Sequence, residues 1–435
     1  MKYSFDKEVK RFIDHINSLD STLPLEMITI YATVEESVKK LNEFMERNNV
    51  SKIEKGTRKS AYRLKFEDLS QFHKLHNWYT NAKIASTIIP RNFIVSLVSQ
   101  FDAYLGRLIK TIYFIKPELL TACEKNLTYA QINEFSTLED VKEFIIEKEV
   151  ESVLRKSHTE QFEWLKNKLD MPLTKGLDIW PTFIELTERR NLFVHCDGII
   201  SSQYIAVCKK NKVELGSDCK VGETLAVAPE YFENAYKCIF EVGVKLAHVI
   251  WRKLQAEDRE KADLNINEIC YDLIEGEKYD LSITLLEFAT EFNKFSSEDK
   301  KLVLNINKAQ AYKWAGNQEK CNEILNTFDW SAYSNDFKLA KAVLIEEYEI
   351  AAQMMKKIGS EGEVQKTDYR DWPIFKEFRK TDYFQQTYKE VFGESFEIIE
   401  TEEREVNQPK KDVEGQAEID NIFDKESAAS NEESI

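Results

Sequence analysis

Thirteen glycines and eight prolines are spread over 435 residues, and this shortage of chain-breaking residues constrains the fold more than any other feature. A β-sandwich or barrel needs a turn roughly every 8–12 residues, mostly built on such residues. Long helices joined by short connections do not. The expectation is therefore an all-α chain. At this length one core is too few, so two or three domains are expected. Hydrophobic residues at 43% are enough to fill them.

The formal net charge is −16. That argues against non-specific coating of nucleic acid, although an average leaves room for a local basic groove. Residues 401–435 hold eleven Asp/Glu against four Lys/Arg, a net −7, and are expected to be disordered. The chain opens on charged residues, Met1-Lys2-Tyr3-Ser4-Phe5-Asp6-Lys7-Glu8, unlike a signal peptide. No uncharged apolar run approaches the roughly 18 residues a membrane helix requires. The seven cysteines (Cys123, Cys196, Cys208, Cys219, Cys238, Cys270 and Cys321) are scattered and form no Cys-x-x-Cys. Reduced thiols in a cytoplasmic protein with no membrane contact are the expectation.

Residues 1–84 form an N-terminal region without an assigned role. Val34–Met45 and Asp68–Trp78 have helical spacing, and the basic stretch Ser51–Lys65 between them suits a loop or a short ribbon. His73 and His76 form an H-x-x-H without further ligands, so they read as solvated or half-buried side chains. Residues 85–258 form the next domain. Pro90 marks a boundary, after which Arg91–Phe114 carries the buried-type stripe Phe93, Leu97, Phe101, Tyr104, Leu105, Leu108 and Ile112. Ser136-x-x-Glu139 reads as a capping box opening a helix to Leu154. Helices are also expected over 162–169, 180–194 and 229–254, with a small hairpin around 203–227. Residues 263–398 change texture. Glu275-Gly276-Glu277 and Ala315-Gly316-Asn317 superpose, with glycines forty residues apart. Over 263–358 this resembles the tetratricopeptide pattern of stacked helix pairs, which bind peptides or partner proteins, or brace a neighbouring domain.

The stretch Glu188-Arg189-Arg190-Asn191-Leu192-Phe193-Val194-His195, with Asp197, Gly198 and Tyr204 after it, is the one candidate for chemistry. The apolar triplet Leu192-Phe193-Val194 should enter a core and leave its polar neighbours at the edge. On a helix Asn191 and His195 share a face, about 40° apart, whereas Arg190 and His195 diverge by about 140°. They converge only if Arg190 bends round, the helix distorts, or a second copy contributes. A guanidinium offers a fixed charge and a two-pronged grip on phosphate oxygens. An imidazole can take a 2′-hydroxyl proton or protonate a leaving oxygen. Asn191 can orient either. Asp102 is an accessory candidate, as an orienting carboxylate or as the partner of Arg107; Asp197 and Tyr204 are others. Arg190 paired with Glu185, Glu188 or Asp197, and a helix-end His195 held by a carbonyl, are the structural alternative. The sequence has no glycine-rich phosphate loop, no G-x-S-x-G, no H-E-x-x-H and no acidic metal cluster, so no cofactor and no metal are expected.

The combination resembles the HEPN (higher eukaryote and prokaryote nucleotide-binding) superfamily over residues 85–255. That resemblance implies a helical bundle whose Arg190, Asn191 and His195 are active-site residues. It further implies a metal-independent endoribonuclease, a homodimer with a composite site, and a role as a toxin or anti-phage effector. A regulatory protein or phage trigger would act through the helical repeats. The position two after the histidine, a modified tyrosine in one subgroup, is here Asp197. The alternative is a non-catalytic module of the same build that binds a partner protein or nucleotide.

Overall fold

The structure, a computed structural model, describes residues 3–55, 59–120, 127–216 and 219–396. The acidic tail beyond Phe396, expected to be disordered, and Cys123 lie outside the described residues. Within them the chain is all-α: sixteen α-helices and a single two-stranded ribbon. None of the helices is long and apolar enough to cross a membrane. The other six cysteines are free thiols.

Helix α1 (Phe5–Arg47) and helix α2 (Leu69–Ile115) are both longer than expected. Pro90 does not end a helix but lies inside α2. An interior proline removes one backbone hydrogen bond, and the bonds on either side here carry the helix through. The chain nevertheless divides at that residue into two compact units, Met1–Leu23 with Pro90–Phe396, and Pro24–Ile89. The expected separate region 1–84 is thus corrected, because its first 23 residues belong to the larger unit.

In the smaller unit the second part of α1 runs antiparallel to the first part of α2 around Leu41, Phe44, Phe72 and Tyr79. Strands β1 (Ser51–Lys55) and β2 (Lys59–Arg63) close this end as an antiparallel ribbon in the register Lys52↔Tyr62 and Ile53↔Ala61. The basic stretch is therefore the ribbon rather than the loop. His73 is exposed and His76 half-buried, its ring 5.7 Å from Phe72.

In the larger unit the start of α1 packs antiparallel on α2. Phe12 stacks on Tyr104 at 4.2 Å, and Arg107 donates to Glu8 at 2.6 Å. The stripe Leu97, Phe101, Tyr104, Leu105, Leu108 and Ile112 is buried, as its spacing implied. Next come the short α3 (Tyr129–Ile132) and α4 (Leu138–Leu154). The cap of α4 is Thr137 with Asp140, one residue later than Ser136 with Glu139. A second capping box, Ser157 with Glu160, opens α5 (His158–Leu169), and α6 (Trp180–His195) follows. The hairpin expected around 203–227 is instead α7 (Ser202–Lys210), capped by Ser201 and burying Tyr204 and Cys208 one turn apart. Among the described residues there, a single isolated bridge, Ile199↔Thr224, is the one β-type pairing. Helix α8 (Pro229–Leu254) starts on its proline, where the missing N–H costs nothing. Its Gly243 approaches α1 so closely that a Cβ would stand 2.3 Å from Phe12 Cε1.

Three helix pairs then stack: α9 (Arg259–Glu275) with α10 (Tyr279–Thr290), α11 (Glu298–Trp314) with α12 (Gln318–Leu325), and α13 (Asn335–Leu344) with α14 (Tyr348–Ile358). All three turns have one design. Lys278 N donates to Leu273 O at 2.8 Å, Asn317 N to Tyr312 O at 2.8 Å and Glu347 N to Ala342 O at 2.9 Å. This is the six-to-one bond of a Schellman turn. Its left-handed residue is Glu277, Gly316 and Glu346 in turn. The sequence superposition is therefore corrected by one position, since Glu277 and not Gly276 matches Gly316. A third turn also emerges where a glutamate occupies the glycine's place. Helices α15 (Lys366–Asp371) and α16 (Asp382–Phe392) close the array over Tyr369, Phe375, Phe378 and Phe384. The array belongs to the same compact unit as α4–α8 and the part of α2 from Pro90 onward.

Candidate active site on the Arg190–His195 helix

Helix α6 lies antiparallel to α2: Phe183 meets Phe101, Arg190 meets Asp102, and Asp197 meets Arg91. Two adjacent arginines leave α6 about 100° apart and go to different places. Arg189 belongs to the core. Its Nε donates to Glu185 at 2.7 Å, and its guanidinium lies 3.8 Å over the Tyr231 ring. Glu185 also accepts from the hydroxyls of Tyr204 at 2.5 Å and Tyr231 at 2.7 Å, so this buried carboxylate is saturated. Burial, and then the Glu185 charge, raise both phenols well above the ordinary tyrosine value. Tyr204, an accessory candidate, is thus a buried anchor for Glu185 and does not reach the Asp102–Arg190 pair.

Arg190 turns to α2 and donates through Nη2 to Asp102 Oδ2 at 2.5 Å. The expected alternatives are corrected here. Arg190 pairs with Asp102 rather than with Glu185, Glu188 or Asp197, and Asp102 does not pair with Arg107, whose partner is Glu8. The other oxygen of Asp102 accepts from His158 Nε2 at 2.8 Å. His158 is the first residue of α5, and its side chain is only 7% exposed. Its ring stands edge-on to Phe183, 5.6 Å away, and 6.2 Å from Phe101. Glu188 completes the cluster. Burial raises its carboxyl above the ordinary value, against the opposing pull of His158 and Arg190. The side chains of Arg190 and Asp102 keep 20% and 26% exposure, so the pair opens to solvent while His158 behind it does not.

The other end of α6 is held by Arg91. Its Nη1 donates to the Asp197 carbonyl at 3.1 Å and to the carboxylate at 3.3 Å, and its guanidinium lies 5.5 Å over the Phe193 ring. Asp197 and Gly198 both adopt left-handed backbone, φ 50° and 79°, and the helix ends at His195, two residues before the first of them. Arg91 and Asp102 are eleven residues apart, three helical turns, and so share one face of α2. One face of one helix thereby fixes both ends of the motif. Of the apolar triplet only Leu192 is buried; Phe193 is half-buried and Val194 is 48% exposed, because the helix end leaves the core there.

His195 is exposed, and Asn191 is half-buried. Neither side chain makes a hydrogen bond, ion pair or ring contact with the described residues. Arg190 is therefore gathered with Asp102, His158 and Glu188, whereas Arg190 and His195 are not joined within one chain. No group of three or more His, Cys, Asp or Glu among the described residues is placed to hold a metal ion. The arrangement offers an anchored guanidinium for a phosphate and a free imidazole for proton transfer at the helix end.

Sequence reasoning missed His158 and Arg91. Ser157-x-x-Glu160 is a capping-box pattern that could have started the expected 162–169 helix at His158, but nothing local ties that histidine to a carboxylate 56 residues away. No family model, curated protein or solved structure matches this chain.

Proposed function

We propose that the chain is a metal-independent endoribonuclease of the HEPN type, acting as a homodimer in the cytoplasm as a toxin or anti-phage effector. Arg190 holds the scissile phosphate, His195 transfers a proton at the 2′-hydroxyl or the leaving oxygen, and Asn191 orients one of them. The observation that carries this reading is the anchored, partly exposed Arg190 on the same helix as a solvent-open His195 without a partner. Five residues of helix separate the two, which suits a composite cleft in which a second copy supplies the histidine. The stacked helix pairs are a natural surface for a regulatory protein or a phage trigger.

One observation favours a non-cutting module that binds a partner protein or nucleotide: the Asp102 carboxylate already satisfies part of the Arg190 guanidinium. The two readings separate on end-labelled RNA incubated with EDTA, comparing wild type with His195→Ala and Arg190→Ala. The ribonuclease yields cyclic-phosphate ends, and each substitution lowers the rate by about 10² or more. Equal cutting by folded wild type and His195→Ala removes the ribonuclease reading.

A further inference from the structure

We propose that His158 is a positioning residue for Arg190, acting through Asp102; this rests on the reading of Arg190 as a phosphate-binding side chain. A carboxylate facing a guanidinium frequently takes two parallel N–H···O bonds, one to each oxygen. Asp102 does not. Oδ2 takes Arg190 Nη2, while Oδ1 is turned to His158 Nε2 at 2.8 Å. The Arg190 Nε that would complete the fork is buried and meets no acceptor among the described residues. His158 can hold Oδ1 because its ring is wedged between Phe101 and Phe183 at the capped start of α5, with little freedom to move.

The consequence is a half-tied arginine. Asp102 fixes the direction of the guanidinium through one bond and leaves the remaining N–H groups for a phosphate. Without His158, Oδ1 is free to swing onto Nε and close the fork. Arg190 then has to break a two-bond carboxylate pair before it grips an incoming anion. His158 therefore weakens the resting tie of Arg190 without touching the substrate.

The test is binding of a fluorescent 2′-O-methyl RNA oligomer, which lacks the attacking hydroxyl, to the full chain by anisotropy. The proteins are wild type, His158→Ala, His158→Gln, Arg190→Ala and the double variant His158→Ala/Arg190→Ala, each checked for folding by thermal melting. His158→Ala is expected to weaken binding about tenfold, the scale of one hydrogen bond to a charged group. His158→Gln, whose amide N–H can still donate to Oδ1, recovers most of that loss. In the Arg190→Ala background, removing His158 has no further effect. The same loss in both backgrounds would mark a merely structural histidine and overturn the proposal, as would equal binding by wild type and His158→Ala or no binding by wild type. Cleavage is read separately on the 2′-hydroxyl oligomer. A wild type that binds but does not cut ends the ribonuclease reading and leaves the role of His158 standing.

Discussion

His248 shows what burial does to one side chain. It is fully buried on α8, and neither ring nitrogen has a well-formed hydrogen bond. Burial, with the nearby Arg252 charge, pushes its imidazole down to about 3. The folded value thus lies below the ordinary 6.5. Well above pH 6.5 the ring is uncharged in both states and contributes no pH dependence. Below pH 6.5 the unfolded chain takes up a proton that the folded chain refuses, and stability falls until about pH 3. Urea unfolding at pH 7.0, 5.5 and 4.5 should show His248→Leu losing less stability than wild type. The expected difference in slope is on the order of 1 kcal/mol per pH unit below 6.5. Parallel pH profiles would mean that the site admits water or a proton. Glu185 makes the contrasting case: it is buried, and tolerated because three donors surround it.

At the scale of elements, the three Schellman turns of the helical array supply a controlled comparison. A non-glycine residue in left-handed backbone costs about 1 kcal/mol relative to glycine. Glu277 (φ 57°) pays this with only an exposed ion pair to Lys376 in return. Glu346 (φ 64°) instead contacts the ammonium of Lys313, a side chain only 5% exposed that also donates to Leu344 O. Glu277→Gly should therefore raise stability by about 0.5–1 kcal/mol. Glu346→Gly should gain less or lose, because it uncovers a buried cation. Chemical denaturation of both variants measures the difference, and equal effects would show that the Lys313 pair contributes nothing. The same logic explains why only one of the three turns has a glycine at its left-handed position, so that the first was aligned one residue off and the third was not seen. The αL position fixes a backbone angle, and a glutamate with a compensating contact can occupy it.

At the scale of the whole molecule, the separation of Arg190 from His195 makes a prediction about copies. If each cleft takes its arginine from one chain and its histidine from the other, inactive Arg190→Ala and inactive His195→Ala should complement. Statistical exchange makes half the dimers mixed, each with one intact cleft of two, so about a quarter of wild-type cleavage should return. No recovery after verified subunit exchange would place both residues in one chain's site. The charge distribution bears on the same question. A chain of net −16 does not attract RNA as a whole, so any affinity for it has to come from local cations and should fall steeply with added salt.

The sequence by itself determined the helical class, most of the helix positions and the helix that carries Arg190, Asn191 and His195. Those properties are local: periodicity, capping residues and scarce glycine act over a few positions, and each is written in adjacent letters. Some errors were of one position, such as a cap at Thr137 rather than Ser136, or Glu277 in place of Gly276; the larger ones were the hairpin expected at 203–227, which is α7, and the boundary expected at Pro90, which lies inside α2. Tertiary structure alone decided what the site's charges do. Arg189 and Arg190 are indistinguishable as letters, yet one is locked onto Glu185 in the core and the other is presented on Asp102. The pairs that settle this join residues 56, 88 and 106 positions apart. Such partners are chosen by how α2, α5 and α6 pack, because a buried charge takes whichever opposite group the packed helices bring within hydrogen-bond reach.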